Sequence, residues 1–222
     1  MSSGLFLSFE GVEGGGKSTQ LRRLEQHLRD RGYPVTVNIE PGGTAIGKQI
    51  RRILLDAAHG HLSPVAELLL FFASRAQAVD EVIRPALAAG HIVLSDRYTD
   101  STLVYQGVAR GLGASVVRTL ETVACRGVGP RLTLVLDMDV EAGLARARAR
   151  NSQAAHSETR LDDESLDFHR KVRRAYHDLS AEEPARVILV NAAQHPDAVF
   201  VDILQRVEPL LAPLSLPAAS LE

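Results

Sequence analysis

The sequence predicts a three-layer αβα sandwich in which a five-stranded parallel sheet has helices on both faces. The first observation behind this fold class is a set of short runs rich in Val, Ile, Leu and Phe, which is typical of buried strands. The runs are Leu5–Phe9, Val35–Ile39, Ile92–Ser95, Leu132–Leu136 and Val187–Val190. The second observation is that segments with helical periodicity separate these runs, such as Leu21, Leu24 and Leu28. Alternating strands and helices require crossover connections, which favour a parallel sheet covered on both faces.

Two longer helices have boundaries that the sequence indicates. Ser63 and Pro64 supply an N-cap and a first-turn proline for a helix that runs toward Gly90. Pro85 is expected to bend this helix or to end it near its close. A second helix is predicted over Ser165–Glu182.

A polar segment without periodicity, Asn151–Thr159, separates a basic helical segment from an acidic one. We predict that it is an exposed mobile loop and that a lid spans about residues 146–161. After Pro213 the sequence loses periodicity, so residues 213–222 are expected to form a frayed tail. Because no internal repeat or interdomain linker is visible, residues 1–212 are predicted to form a single domain.

The composition excludes several functional classes. Among 222 residues, 45% are hydrophobic and 23% are charged, which is ordinary for a globular protein. A net charge of −2 provides no global basic field for nucleic acid or an anionic membrane. Cys125 is the only cysteine, which fits a reducing compartment, and no apolar run approaches the roughly 20 residues that span a bilayer. We therefore expect a cytoplasmic protein with neither a nucleic-acid nor a membrane partner.

A glycine-rich motif follows the first predicted strand. Residues 11–18 have the sequence GVEGGGKS, which matches the P-loop pattern G-x-x-x-x-G-K-[ST] and opens a predicted helix. Backbone N–H groups and the helix N-terminus of such a loop bind phosphates, Lys17 reaches the β- and γ-phosphates, and Ser18 ligates Mg²⁺. We predict ATP and Mg²⁺ as cofactors. The predicted nucleotide-binding residues are Gly11, Val12, Glu13, Gly14, Gly15, Gly16, Lys17, Ser18 and Thr19.

The residues that end the third predicted strand indicate a second phosphate group. Asp96 can orient Mg²⁺ through water, and Arg97 can bind a phosphate through two parallel hydrogen bonds. This pair suits an acceptor that is itself a phosphate. A guanine-specific switch is not expected, because the sequence has no N-K-x-D motif after a late strand. A motor or ABC-type ATPase usually has Asp-Glu at the position of this Asp-Arg pair.

From about Phe6 to Pro209 the chain resembles thymidylate kinases of the bacterial type. The segments that carry the resemblance are 9–18 (FEGVEGGGKS), 40–44 (EPGGT), 70–75 (LFFASR), 96–102 (DRYTDST), 105–107 (YQG), 146–150 (RARAR) and 160–164 (RLDDE). Together these motifs are highly specific. The resemblance implies a P-loop kinase fold and ATP-dependent phosphorylation of dTMP to dTDP, in a homodimer that packs through helices.

The resemblance also implies how the acceptor sugar and phosphate are bound. Glu13 resembles an acidic residue that contacts the 3′-hydroxyl region of the sugar, and Glu40 is assigned to positioning of the acceptor or of Mg-bound water. Arg51 and Arg97 resemble the pair that binds the α-phosphate of the acceptor. One departure is Ile39, where bacterial-type sequences often have arginine.

The acceptor base is expected to meet a helix that carries Phe71 and Arg75 on one face, because the two residues are four apart. In the family the aromatic ring stacks on thymine and the arginine donates to its O4. Since arginine only donates, cytosine with its amino group at this position should be rejected. Thr102, Tyr105 and Gln106 resemble the residues that face the base and deoxyribose.

The resemblance further implies that an arginine of the lid stabilises the migrating phosphoryl group. In bacterial-type enzymes the P-loop lacks the basic residue of eukaryotic relatives, and here Gly14 occupies that position. Arg146, Arg148, Arg150 and Arg160 are available. The predicted catalytic residues are Lys17, Arg97, Arg150 and Arg160, and the predicted metal-binding residues are Ser18 and Asp96.

Two alternatives to a dTMP kinase remain open on the sequence. One is another nucleotide or deoxynucleoside kinase on the same fold. The other is a noncatalytic regulatory module that binds ATP through the same P-loop. The first would prefer a different acceptor, and the second would show no acceptor-stimulated release of ADP.

Overall fold

The computed structural model describes residues 4–151 and 158–212, with Arg150 and Asn151 described by their backbone alone. The predicted tail and most of the predicted mobile loop therefore lie outside the described residues.

The described residues form a single five-stranded sheet in which every neighbouring pair of strands is parallel. The strands are β1 (Leu5–Gly11), β2 (Val35–Ile39), β3 (Ile92–Asp96), β4 (Leu132–Asp137) and β5 (Val187–Asn191). Their order across the sheet is β2-β3-β1-β4-β5. All five predicted strands are confirmed, and four of them extend one or two residues further at the carboxyl end than predicted.

Helices connect the strands and cover the sheet. They are α1 (Lys17–Asp30), α2 (Ala45–Leu55), α3 (Pro64–Ala78), α4 (Arg84–Ala88), α5 (Thr99–Thr102), α6 (Ala114–Cys125), α7 (Val140–Asn151), α8 (Leu166–Glu182) and α9 (Pro196–Leu211). A short 3₁₀ turn covers Ala57–His59, and π-helical segments cover Val79–Ile83 and Leu103–Ala109. Among these described helices, none combines the length and the apolar character needed to cross a membrane.

Both predicted long helices are present. The Ser63 hydroxyl accepts a hydrogen bond from the Ala66 N–H at 3.3 Å and caps α3, and Ser165 caps α8 in the same way. Pro85 does not end the first helix. The π-helical segment Val79–Ile83 changes the hydrogen-bonding pattern ahead of it, so the proline lies in the first turn of α4, where no intrahelical N–H is required.

Two hydrophobic clusters cover the two faces of the sheet. Because successive side chains of a strand point to opposite faces, Leu7 and Phe9 of β1 join the cluster that includes α1, α8 and α9, whereas Phe6 joins the cluster with α3 and α6. With both faces buried, the carboxyl ends of the strands are where open α/β sheets bind ligands.

Candidate active site

A cleft of about 710 Å³ lies at the carboxyl ends of β1, β2 and β3. The P-loop lines one part of it, and α2, α3, the π-helical segment Leu103–Ala109 and residues 158–162 line the rest. Most of the predicted donor and acceptor residues therefore meet in one cleft.

The P-loop has the backbone that its glycines predict. Gly14 and Gly16 have φ angles of 70° and 83°, in the left-handed region where a side chain is disfavoured. Lys17 begins α1, and its ammonium group donates to the carbonyl oxygens of Val12 at 2.9 Å and Gly11 at 3.2 Å. Burial and the neighbouring Arg97 lower the pKa of Lys17. The loop thus holds the lysine at its centre, where a phosphate can replace the carbonyl contacts.

Ser18 and Asp96 lie together although they are far apart in sequence. The Ser18 hydroxyl donates to Oδ2 of Asp96 at 2.7 Å, and both residues line the cleft. In the described part of the chain, no group of three or more His, Cys, Asp or Glu side chains could hold a metal ion. Mg²⁺ keeps several waters and binds phosphates through one or two protein oxygens, so this pair fits Mg²⁺ with a bound nucleotide.

Arg97 connects the P-loop to the acceptor side. Its Nη2 lies 2.6 Å from Oε1 of Glu13, and its Nη1 donates to the carbonyl oxygen of Gly11 at 3.2 Å. Tyr105 donates its hydroxyl to the same Glu13 oxygen at 2.9 Å. Burial opposes ionisation of Glu13, but Arg97 and Lys17 outweigh it and lower the pKa of this carboxyl group to about 2. Glu13 is therefore an ionised hydrogen-bond acceptor in the cleft.

A second carboxylate lies beneath Arg97 and was not predicted from the sequence. Glu10 is fully buried at the end of β1, where it accepts the Tyr98 N–H at 2.6 Å and the Tyr176 hydroxyl at 2.9 Å. Its Oε2 is 3.9 Å from Nη1 of Arg97. Burial raises the pKa of Glu10 to about 7, although Arg97 opposes the shift. Glu10 fixes the turn in which Arg97 adopts a φ of 70°.

The predicted base-binding residues are only partly exposed to the cleft. Phe71, Tyr105 and Gln106 line it, whereas Arg75 and Thr102 are each 1% exposed and do not. The Thr102 hydroxyl has no hydrogen-bond partner among the described residues.

Arg75 is held by a buried ion pair. Its Nε donates to Oε2 of Glu40 at 2.6 Å, and its Nη2 donates to the carbonyl oxygen of Tyr98 at 3.1 Å. Burial alone would lower the pKa of Arg75, but Glu40 raises it, so the guanidinium stays charged. Its Nη1 is buried and has no hydrogen-bond partner in the described part of the chain. Glu40 itself lines the cleft.

Arg51 lines the cleft, as expected for a phosphate ligand, but it contacts a carboxylate. Its Nη2 lies 2.6 Å from Oε2 of Glu158, and its Nη1 donates to the carbonyl oxygen of Pro41. Ile39, at the position where related sequences often have arginine, is 48% exposed and also borders the cleft. Lys48 lines the cleft as well, so it adds a positive charge on this side.

The structure does not bring Arg160 to the P-loop. Its Nη2 lies 2.7 Å from Oε2 of Glu67, and its Nε donates to the carbonyl oxygen of Leu54. The side chain is buried and lines a separate cavity of about 270 Å³. The predicted catalytic role of Arg160 stays a prediction, and in this structure the buried carboxylate of Glu67 holds its guanidinium outside the cleft.

The other lid arginines lie on α7. Arg146 and Arg148 are exposed, and Arg146 contacts the sulfur of Met138. The side chain of Arg150 lies outside the described residues.

Gly14 is tightly packed against the helix that carries these arginines. A Cβ atom at Gly14 would lie 2.0 Å from the carbonyl oxygen of Gly143, and one at Gly143 would lie 2.4 Å from the carbonyl oxygen of Glu13. The P-loop has no room for a side chain at Gly14 in this conformation. This contact explains physically why a basic residue is absent there.

Sequence reasoning missed Glu67, which is fully buried in α3. One signal was available: it is the only charged residue between Ser63 and Ser74, in an otherwise apolar stretch. A charged residue inside such a stretch is seldom buried without partners.

Comparison with known proteins agrees with this geometry. A model of the thymidylate kinase family matches residues 9–203. Thymidylate kinase of Desulfovibrio desulfuricans is 49% identical over 209 residues, which cover 93% of this chain and 96% of that protein. Thymidylate kinase of Syntrophotalea carbinolica is 53% identical over 188 residues, 84% of this chain and 87% of that protein.

The fold is also similar to a solved structure. The crystal structure of thymidylate kinase from Ehrlichia chaffeensis superimposes with a TM-score of 0.74 at 26% identity, covering 93% of this chain and 99% of that one. The resemblance drawn from the sequence motifs is confirmed, and the chain belongs to the thymidylate kinase family.

Proposed function

We propose that this protein transfers the γ-phosphoryl group of ATP to dTMP, giving dTDP and ADP. The observation that carries the proposal is that a P-loop and the phosphate-binding candidate Arg97 lie in one cleft with the base-binding candidates Phe71 and Gln106. Membership of the thymidylate kinase family supports the same activity.

The proposed reaction is an in-line attack of an acceptor phosphate oxygen on the γ-phosphorus. No strong general base is needed, because the attacking oxygen is already anionic. Catalysis then consists of alignment and charge stabilisation, to which Lys17 and Arg97 contribute their positive charges. Ser18 and Asp96 are the residues that would hold Mg²⁺, which neutralises phosphate charge when it is bound.

The proposed acceptor site recognises thymine by hydrogen-bond direction. Phe71 provides the aromatic face, and the buried Nη1 of Arg75, which lacks a partner among the described residues, is the donor proposed for O4. Ionised Glu13 is proposed to accept a hydrogen bond from the sugar 3′-hydroxyl. Arg51 would exchange Glu158 for the acceptor phosphate, since both are anions.

The additional positive charge at the migrating phosphoryl group is proposed to come from the lid. Gly14 has no room for a basic side chain, and Arg160 is held by Glu67. Arg150 remains the candidate, together with Arg146 and Arg148 on the same helix. An arginine in this role contributes about 10³–10⁵ in rate in related phosphoryl transfers.

We also propose a cytoplasmic homodimer. The lone Cys125 fits a reducing compartment. Helices α3 and α6 pack against each other, and each carries exposed apolar side chains, including Leu69, Val116 and Val123. Sedimentation at micromolar concentration tests the dimer, and a clean monomer would contradict it.

A single assay separates the proposed function from its alternatives. The protein is incubated with ATP and Mg²⁺ and with dTMP, dUMP, dCMP, dAMP, dGMP or thymidine, and ADP release is measured. We expect dTMP to give the highest kcat/KM. Preference for another acceptor would identify a different kinase, and ADP release that no acceptor stimulates would contradict kinase activity altogether.

A further inference from the structure

The carboxylate of Glu67 is buried behind the wall of the cleft, where it contacts the cleft-lining residue Gln106. Glu67 lies on α3, one helical turn before Phe71, and its side chain is 1% exposed. Nε2 of Gln106 donates to its Oε1 at 2.8 Å. Arg110 donates to both of its carboxylate oxygens at 3.2 Å, and Nη2 of Arg160 lies 2.7 Å from Oε2. Every one of these partners is a hydrogen-bond donor.

This arrangement determines which end of the Gln106 amide faces Glu67. An ionised carboxylate can only accept hydrogen bonds, so the Gln106 NH₂ group must point toward it. Burial alone would raise the pKa of Glu67, but the hydrogen bonds from Arg110 and Gln106 and the close contact with the Arg160 guanidinium lower it, so the carboxylate is ionised. The amide orientation therefore follows from chemistry and does not depend on distinguishing oxygen from nitrogen.

The opposite end of the same amide is available to the acceptor site. Gln106 lines the cleft, and its Oε1 is the end of the amide that points away from Glu67. An amide oxygen in the cleft can accept the N3–H of thymine or uracil. Cytosine presents an unprotonated nitrogen at N3, which would meet this oxygen as a second acceptor.

We propose that Glu67 is a positioning residue that sets base specificity by fixing the Gln106 amide with its oxygen toward the base. The inference rests on the proposed function, since it concerns how the dTMP base is distinguished. Arg110 and Arg160 have a supporting role, because they keep the carboxylate charged and in place. Arg110 is in turn held by Glu164, whose Oε1 lies 2.6 Å from its Nη2.

The isosteric variant Glu67→Gln tests this directly. The Oε2 position faces two arginine nitrogens, whereas the Oε1 position faces Nε of Arg110 and the Gln106 amide, which can rotate. The new amide oxygen therefore takes the Oε2 position, and its NH₂ group faces Gln106. Gln106 must rotate to accept that hydrogen bond, which turns its own NH₂ group toward the base. We expect kcat/KM for dTMP to fall at least about tenfold, mainly through KM, and the ratio of dTMP to dCMP turnover to fall at least about tenfold.

The matched control is Glu164→Gln, which weakens the contact of Arg110 on its far side and leaves the contact between Glu67 and Gln106 in place. It should keep the dTMP to dCMP ratio within about twofold of the wild-type value. A purely structural role of Glu67 would lower turnover of dTMP and dCMP by the same factor. That result, or an unchanged ratio in Glu67→Gln, overturns the inference.

Two further measurements keep the test independent of how well one variant folds. The double variant Glu67→Gln with Gln106→Glu exchanges donor and acceptor, presents an acceptor oxygen to the base again, and should restore preference for dTMP over dCMP relative to Glu67→Gln. A 3-deaza analogue of dUMP has C–H in place of N3–H and a hydroxyl group at O4. The wild-type enzyme should use it about tenfold less efficiently than dUMP, and this loss should be smaller in Glu67→Gln, in which the groups that face O4 are unchanged.

Equal use of the 3-deaza analogue and dUMP would overturn the proposed orientation of the amide. Failure of the wild-type enzyme to phosphorylate any pyrimidine nucleotide would instead contradict the proposed function itself, so the two failures are distinguishable.

Discussion

The two halves of the cleft are built in different ways. The donor half, residues 11–19 with Asp96, consists largely of backbone groups from one continuous segment, and its lysine bonds to carbonyl oxygens of its own loop. The acceptor half, which we define as Glu40 and Gln106 of the cleft wall with Arg75 and Glu67 buried behind them, consists of side chains from several elements that are held by ion pairs and hydrogen bonds. Removing one side chain should therefore cost activity in the donor half, but both activity and stability in the acceptor half.

The largest effect is expected for Lys17→Ala in the donor half. The ammonium group reaches the β- and γ-phosphates in the proposed mechanism, so kcat should fall by at least about 10³-fold when it is removed. Stability should change little, because the hydrogen-bond partners of Lys17 are backbone carbonyl oxygens and Glu13, which Lys17 helps to keep ionised, retains its ion pair with Arg97. The measurement is kcat with ATP and dTMP, together with thermal unfolding.

Lys171→Ala is the control for this variant, because Lys171 is exposed on α8 and outside the cleft. It should leave kcat unchanged. Full kcat in Lys17→Ala would remove the P-loop lysine from the mechanism.

The next largest effect is expected for Arg75→Met in the acceptor half. Removal of this guanidinium leaves Glu40 as an uncompensated buried charge, which should lower the free energy of unfolding by about 3–5 kcal/mol. Use of dTMP should be lost as well, because the proposed donor to O4 is gone. Urea unfolding and kcat/KM for dTMP measure the two effects.

Arg118→Met provides the matched comparison, since Arg118 is exposed on α6. It should change neither quantity appreciably. If Arg75→Met lowered activity without lowering the free energy of unfolding, the contrast between the two halves would be wrong.

Glu10 is buried beneath Arg97, between the two halves of the cleft. It should make the free energy of unfolding depend on pH. Its pKa is raised from 4.5 to about 7, so the folded state binds a proton more tightly than the unfolded state. Glu10 therefore makes its full contribution to the free energy of unfolding below about pH 4.5. This contribution declines as the pH rises to about 7 and is lost above that pH. Since one pKa unit corresponds to about 1.4 kcal/mol, the decline should be roughly 3–4 kcal/mol.

The measurement is the difference in free energy of unfolding between Glu10→Gln and the wild-type protein from pH 4.5 to 8. The variant should gain stability relative to wild type as pH rises through this window. Comparing the two proteins cancels the opposite trend of His169, whose pKa is lowered by burial. A difference that does not depend on pH would mean that Glu10 is ionised throughout.

The contrast also explains which parts of the molecule the sequence could predict. The strands and the P-loop depend on local patterns, so the five strands, the cap of α3, the extent of α8 and the place of Lys17 after β1 followed from residue type and spacing. Contacts between side chains of distant elements have no local signature. The pairing of Arg160 with Glu67 joins residues that are 93 positions apart, and neither residue type indicates its partner.

The smallest effect is expected at Gly143 of α7, where this helix contacts the donor half of the cleft. A methyl group there would lie 2.4 Å from the carbonyl oxygen of Glu13, and because this neighbour is backbone, α7 or the P-loop must move. Overpacking of this kind typically costs about 1–3 kcal/mol, which a shift of α7 would partly relieve. We expect Gly143→Ala to lower kcat about tenfold, because a movement of about 1 Å near the reacting groups is enough for such losses.

The control for this variant is Gly129→Ala, where an added methyl group meets nothing within 4 Å and no positive φ is required. It should keep the wild-type kcat. The expected loss in Gly143→Ala lies mainly in kcat if α7 moves, because none of the four residues of the acceptor half touches this contact, whereas movement of Glu13, the proposed ligand of the acceptor sugar, would also raise KM for dTMP. A rise in KM for dTMP with unchanged kcat would show that α7 couples the two halves of the cleft. The claim that the donor and acceptor halves respond differently to substitution would then be wrong.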